Sequence, residues 1–340
     1  MKDNSTLREV AKRAGVAIST ASQALANKPN VSPETRARVL EAAVALGYQQ
    51  QIRIDTPITN KLSIVGMLTR STPDLPLPVN PFYSHVLAGV ERECQRMNLN
   101  LMYANIEVDE QNRPLTYPPL LHDNRVDGLL VVGSYLKEAI NELHGKPVIL
   151  VDAYAPSQEI DSVVSDNIHG AYNAVVHLIK QGHRKIGLLG SKPDGYPSIR
   201  ERRKGYMRAL KHYHIQETFI EDSPLIREAV YEATLRLLRR SPEITAVFAC
   251  NDNVAIGVMN AAHDLGRHVP GDLSLVGFDD IDLATEIKPA LTTVYVDKML
   301  MGSMAVRLLR DRSEDPYRTC ITATLATRLV IRHSVRPLNS

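Results

Sequence analysis

The sequence predicts an α/β protein in which a small all-α head precedes a body of two parallel-sheet lobes. Three observations carry that reading. From Leu62 onward, apolar runs alternate with amphipathic helical patterns, and they do so in two successive series. Before Gly47, three short helical stripes are separated by turn residues, with no strand pattern among them. At 340 residues the chain is too long for one ordinary core.

Thr6-Leu7-Arg8-Glu9 is a capping box, and Leu7, Val10, Ala11 and Ala14 follow as one apolar stripe. Gly15 ends that helix and permits a sharp turn. A second helix starts at about Ile18, with Ala21, Ala24 and Leu25 inward and Ile18, Ser19, Ser22 and Gln23 outward. Asn27 to Asn30 form a turn. Ser32-Pro33 then reads as cap and first residue of a third helix, whose apolar side is Val39, Leu40, Ala43 and Leu46. Helix, glycine turn, short helix, loop and helix make a helix-turn-helix unit. Small outward polar side chains suit a helix that enters a major groove about 12 Å wide. Residues 1–61 hold nine Lys/Arg against five Asp/Glu, so the head carries +4 while the rest of the chain, by difference from the total of +2, carries −2. That asymmetry points to a polyanion partner, although an ordinary three-helix bundle for protein contacts fits the same pattern.

In the body, "LSIVGML", "LNLMYAN", "DGLLVVG" and "PVILVDA" read as buried strands, with a helix over 83–97 carrying Val86, Leu87, Val90 and Cys94. A second series, "KIGLLGS", "ITAVFAC" and "LSLVGFD", alternates with helices near 168–181, 202–214, 227–240 and 252–265. In such sheets ligands sit at the carboxyl ends of the strands. Those ends are polar here: Asp152, Asn251-Asp252 and Asp279-Asp280, joined by Arg200, Arg202 and Arg203 of "SIRERRKGY". Carboxylates and guanidinium groups together bind vicinal hydroxyls. Taken singly, Asp279 reads equally as a helix cap and Arg202 as a solvated helix face; their convergence at several strand ends favours a ligand site.

Other classes of function are excluded by what the chain lacks. No apolar run reaches the roughly 20 residues of a membrane span, and "MKDNSTLREV" has no secretory apolar region, so a cytoplasmic location is expected. Cys94, Cys250 and Cys320 fit neither a disulfide framework nor a zinc pattern, and Cys250 reads as core. Phosphate-loop, dinucleotide, zinc-protease and nucleophile-elbow motifs do not occur. His212 and His214 fall on different sides of a helix, and His183 reads as a turn residue. Neither a cofactor nor a metal is expected, and the chain is not read as an enzyme.

The stretch "TLREVAKRAGVAISTASQALANKPNVSPETRARVLEAAVALGY" resembles, without a gap, the headpiece of the lactose/galactose repressor family. The resemblance implies that Ile18, Ser19 and Gln23 face base edges and that Thr20 and Ser22 meet phosphates, with Thr6 and Asn27 beside them. Ala17 departs from the family, which usually has a capping serine there; such a cap is worth about 1 kcal/mol. In the linker "YQQQIRIDTPITNK", Gln50 and Gln51 replace the usual Pro-Asn, and Pro57 stands where the family's hinge helix carries its minor-groove leucine. Two readings stay open: a hinge that bends DNA differently, or a plain tether.

The body resembles the same family's effector domain through "NPFYSHVLAGVERE", "VDGLLVVGS", "PVILVDAY", "SIRERRKGYMRAL", "AVFACNDNVAIGVMNA" and "VPGDLSLVGFDDIDLATEIKPALTTV". That fold is similar to periplasmic sugar-binding proteins, with lobe crossovers placed near 163, 293 and 325. The resemblance implies that Phe82 and Tyr83 stack on a ligand ring while Asp152, Arg202, Asn251 and Asp279 hydrogen-bond it. Asp166 and Asn167 near the first crossover either set lobe orientation or cap a local turn. "STPDLPLPVNPF" and "VDEQNRPLTYPPLL" are long loops that either cover the cleft or decorate the surface.

The expected division is a helix-turn-helix domain over 1–48, a linker over 49–61 and an effector and dimerisation domain over 62–340. Lobe one takes about 62–163 and 294–325; lobe two takes about 164–293 and 326–340. The expected function is a transcription regulator, acting as a homodimer on a pseudo-palindromic double-stranded operator and repressing until a mono- or oligosaccharide binds between the lobes. The alternatives are a purine corepressor, or a sugar-binding or sugar-modifying protein without a DNA role.

Overall fold

The computed structural model describes residues 6–25, 31–46, 62–71, 80–107, 115–121, 125–133, 136, 140, 145–154 and 160–338. Asn27, the linker 49–61 and parts of both long loops (72–79 and 108–114) lie outside them. The chain divides into two compact units, 1–58 and 59–340.

The first unit contains α1 (Leu7–Ala14), α2 (Ile18–Leu25) and α3 (Pro33–Ala45). The capping box forms as its sequence implies: the Thr6 amide donates to Glu9 Oε2 at 2.6 Å. Gly15 adopts φ 66° and ends α1. With alanine at position 17, α2 opens on a backbone bond, Ala21 N to Ala17 O at 2.9 Å. Ser32 Oγ accepts from Thr35 N at 3.3 Å and caps α3. Val10, Ala11, Ala14, Ala21, Ala24, Val39, Ala42 and Ala43 form the core. Leu40 departs from its expected place: it is 48% exposed. The inward stripe of α3 follows Val39, Ala42, Ala43 and Leu46, and Leu40 lies about 100° away from it.

The second unit is built on β1 (Ile64–Ser71), α4 (Tyr83–Arg96), β2 (Asn100–Glu107), β3 (Gly128–Val132), β4 (Val148–Val151) and β5 (Asp161–Ser165). The chain continues through α5 (Asn167–Lys180), β6 (Ile186–Ser191), α6 (Pro197–His212), β7 (Phe219–Asp222), α7 (Arg227–Arg240), β8 (Ala246–Ala249), α8 (Asp252–Asp264) and β9 (Ser274–Val276). It closes with α9 (Leu283–Glu286), β10 (Thr293–Tyr295), α10 (Lys298–Glu314), β11 (Thr322–Leu325) and β12 (Arg328–Val330). One parallel sheet has the order β11-β5-β4-β3-β1-β2 and a second has β7-β6-β8-β9; β10 pairs antiparallel with β12. The fully buried runs of β3, β5, β6 and β8 suit sheets covered on both faces. The strand expected in "LNLMYAN" forms but is not buried. As an edge strand, β2 keeps only Ile106 inside.

The chain passes between the sheets three times: from β5 into α5, from β10 into α10, and from β11 into β12. Helices α4 and α10 cross so closely that a Cβ on Gly89 would lie 2.1 Å from Met299 O, and one on Gly302 would lie 2.1 Å from Val86 O. Cys250 is fully buried, as its apolar run implies. His183, expected in a turn, is a buried tie instead: its ring nitrogens meet Thr245 Oγ1 at 2.9 Å and Arg336 O at 3.1 Å. His214 falls beyond the end of α6 with φ 54°.

Candidate functional site

Polar side chains gather where the strands of both sheets end. On the first sheet, β3 runs into Gly133 at φ 76°, where a Cβ would stand 2.7 Å from the Tyr83 hydroxyl. The glycine therefore admits that ring. Beyond β4, Asp152 takes φ 54°, a left-handed conformation that Asp and Asn tolerate better than most residues. Tyr83 Oη donates to Asp152 Oδ2 at 3.0 Å. The other oxygen, Oδ1, is buried without a hydrogen-bond partner among the described residues. Burial pushes the Asp152 carboxyl up to about 6, against the pull of Arg202. Burial, and then the Asp152 charge, hold the Tyr83 hydroxyl well above its ordinary range. Phe82 is 7% exposed and belongs to the core, edge-on to Tyr83 with centroids 5.0 Å apart. Tyr83, not Phe82, is thus the ring nearer the polar groups.

On the second sheet the centre is Arg202, 3% exposed on α6. Its Nε donates to Asn167 Oδ1 at 3.0 Å and its Nη1 to Cys250 O at 2.6 Å. Nη2 faces Asp279 Oδ1 across 2.9 Å. The guanidinium lies 3.8 Å over the Phe278 ring. It is a buried, anchored fork and not a solvated helix face. Asp279 is 6% exposed at φ 107° and does not cap a helix, since α9 begins four residues later. Burial raises its carboxyl despite Arg202 and Lys298. Asn251 caps α8 by accepting from Val254 N at 2.8 Å, which leaves its amide nitrogen for other partners. Asp280, beside Asp279, pairs with Arg332 at 2.7 Å. Arg203 pairs with Asp222, and Arg200 is exposed.

The two faces touch. Tyr154, just after β4, donates to Glu201 Oε1 at 2.7 Å, and Glu201 Oε2 accepts from Asn167 at 3.2 Å. His85 of α4 approaches Asp282 at 3.5 Å. Asn167 therefore bridges Arg202 and Glu201, while Asp166 does the local work of capping α5 through His169 N at 3.0 Å. Sequence reasoning misses Glu201, Tyr154 and Lys298, and it marks Asp252 only as part of a polar strand end. Glu201 and Tyr154 have a signal, for each adjoins or nearly adjoins a residue already singled out. Lys298 has none. Its ammonium donates to Asp279 O at 2.6 Å and Asp280 O at 2.9 Å, a contact that the second crossover creates. Asp252 is fully buried behind the site, accepting from Ile281 N at 2.9 Å and Thr293 Oγ1 at 2.5 Å. Burial and then the neighbouring Asp279 push it to about 8.

In the first unit, Ile18, Ser19, Ser22 and Gln23 are exposed on α2, Thr20 is half-buried, and Ala21 and Ala24 face α1 and α3. Thr6 is exposed at the start of α1. Five of the seven residues assigned to a DNA surface thus stand on one short helix whose inner face is alanine. Among the described residues no helix is long and apolar enough to cross a membrane, and no His/Cys/Asp/Glu group could hold a metal ion.

Comparison with known proteins bears on both units. Residues 6–51 match the family described as bacterial regulatory proteins, lacI family, and residues 175–335 match a periplasmic binding protein-like domain. The HTH-type transcriptional repressor PurR of Photobacterium profundum is 31% identical over 342 residues, covering 98% of this chain and 99% of that protein. The ribose operon repressor of Haemophilus influenzae is 30% identical over 338 residues, covering 98% and 99%. Among solved structures, a complex of the transcriptional regulator CelR with cellobiose superposes with a TM-score of 0.72 at 27% identity, over 97% of this chain and all of that one.

Proposed function

This chain belongs to the lacI family of bacterial regulatory proteins, and on that premise we propose that it is a repressor released from its operator by a small sugar. It is a DNA-binding transcription regulator, and the relatives named above are repressors, not enzymes. The observation that carries the effector reading is the buried Arg202–Asp279 pair facing an Asp152 oxygen with no partner of its own. Paired carboxylates and a fixed guanidinium fork offer acceptors and donors at the spacing of vicinal hydroxyls. In this reading Asp152, Arg202, Asn251 and Asp279 bind the hydroxyls, Tyr83 lies against the ring, and Phe82 supports Tyr83 from the core. Relatives and neighbours named for ribose and cellobiose support the sugar class.

On the DNA side, Gln23 pairs with an adenine edge and Ile18 touches a thymine methyl. Ser19 reads a further base edge, and Thr6, Thr20, Ser22 and Asn27 hold phosphates. Reading a pseudo-palindrome requires two-fold symmetry, so the acting species is a homodimer, and its place is the cytoplasm where the DNA is. The domain limits are 1–48, 49–61 and 62–340. Effector binding shifts the equilibrium between lobe arrangements only by its different affinity for each. A purine corepressor is the second reading, favoured by relatives that are purine-named repressors and by the Phe82–Tyr83 aromatic pair.

Fluorescence anisotropy on the protein's own upstream DNA, at several salt concentrations and with sugars and purines added, tests this. Salt-steep, sequence-preferring binding weakened tenfold or more by one sugar is expected, about 1.4 kcal/mol. Tightening by a purine would establish the second reading. Binding equal to that on random DNA with every compound would overturn both.

A further inference from the structure

The charges around the cleft do not balance, and the imbalance bears on what the cleft can hold. Among the described residues, Asp152, Asp279 and Glu201 face one another closely enough for each carboxylate to be felt at Asp152. The buried cation they share is Arg202, and it is already committed. Its three nitrogens bond Asn167, the Cys250 carbonyl and Asp279. The nearby Lys298 ammonium spends its donors on the carbonyls of Asp279, Asp280 and Val296. Arg200 stands exposed to water at the rim near Tyr154, where solvent screens it. A ligand therefore meets one neutralised guanidinium, an unpartnered carboxylate oxygen and a surplus of negative charge.

We infer that the effector is an uncharged molecule that donates a hydroxyl or N–H hydrogen to Asp152 Oδ1, and that the cleft rejects phosphate esters and other anions. The inference rests on the proposed effector cleft and adds the charge class of its ligand. A dianionic phosphate has no donor to offer that oxygen and finds, among the described residues, no uncommitted buried cation. At separations near 5 Å and an effective dielectric of about 20, one added negative charge weakens binding by at least about tenfold. Such a rule separates free sugars and nucleosides from their phosphate esters, which share every other group.

Isothermal titration of the full-length protein with matched pairs tests this: D-ribose and ribose 5-phosphate, D-glucose and glucose 6-phosphate, inosine and inosine monophosphate, with cellobiose and hypoxanthine as further neutral compounds. A neutral compound is expected to bind at least tenfold more tightly than its phosphate. In Asp152→Asn that ratio shrinks by about tenfold or more, because the amide puts a donor where the unpartnered acceptor was. Asparagine suits the left-handed backbone at 152, so the variant keeps the fold. Glu201→Gln, at the mouth, moves the ratio in the same direction. A phosphate ester that binds as well as its parent, or a ratio unchanged in both variants, overturns the inference. Should hypoxanthine bind and no sugar do so, the sugar reading fails while the charge rule stands. Failure of every neutral compound and every ester to bind overturns both.

Discussion

Replacing Asp252 by asparagine removes a charge that the body otherwise has to bury. The side chain is fully enclosed, with a carboxylate neighbour in Asp279 and its own oxygens fixed by the Ile281 amide and the Thr293 hydroxyl. Gly277 exists to make room for it, since a Cβ there would lie 2.2 Å from Asp252 Oδ1. The carboxyl is pushed up to about 8 from an ordinary 3.8. That gap corresponds to on the order of 5 kcal/mol. Because the folded-state value is the higher one, the unfolded chain holds fewer protons between the two. The contribution of this group to stability therefore falls as pH rises from about 4 to about 8. Asparagine keeps one acceptor for the Ile281 amide and lets the Thr293 hydroxyl turn to accept, and it cannot ionise. The stability difference, variant minus wild type, is expected to be small at pH 5 and to grow by roughly 3–4 kcal/mol by pH 9. For a unit of this size that is roughly 6–15 °C in Tm. Thermal melts of both proteins across that range give the difference directly, and titrating groups that do not interact with Asp252 cancel in it. A difference independent of pH, or one that shrinks towards pH 9, would refute the reasoning.

Other expectations follow from the same geometry. Gly89→Ala places a methyl group 2.1 Å from the Met299 carbonyl. Neither helix can yield cheaply, so urea denaturation should show a loss of at least about 3 kcal/mol. Arg202→Met leaves Asp279 buried without its guanidinium and should cost about 3–5 kcal/mol. The Arg202→Met/Asp279→Asn pair should recover part of that loss, and a strictly additive cycle would show that the two side chains do not interact. In DNA binding, Arg202→Met should retain operator affinity but lose the effector response. Gln23→Ala should cost about 1–3 kcal/mol on the preferred operator and relax one base pair. An equal loss on all sequences would show that Gln23 does not read a base.

The head was legible almost residue by residue because its signals are local. Capping by Thr6, Glu9 and Ser32, the turn at Gly15 and the alanines of α2 all act within a few positions along the chain. Leu40 is apolar but its angle on α3 turns it away from the core, so hydrophobicity alone misplaces it. The strands β3, β4, β6 and β8 declared themselves as short apolar runs, and the polar residues that end them marked the cleft. By contrast, β7, β10, β11 and β12 are short, partly exposed or polar, and form only because a neighbour offers an edge. Glu201 and Lys298 matter through contacts with residues far along the chain or across the cleft. No local pattern announces a lysine whose partners are carbonyls 18 and 19 positions away.

The threefold exchange of the chain between sheets also orders events during synthesis. The head is complete in sequence once α3 has left the ribosome, at residue 45. The first sheet waits for β11 at 322–325 and the second lobe for the tail, where Leu338 N bonds Gln181 O. At about 5–20 residues per second, those last pieces follow the head by roughly 15 to 60 s. On the proposed homodimeric reading, the nascent chain in that interval carries a complete head but no finished ligand cleft, and a lone head covers only half of a two-fold site. Operator recognition would thereby be deferred until the machinery that can release it has been made.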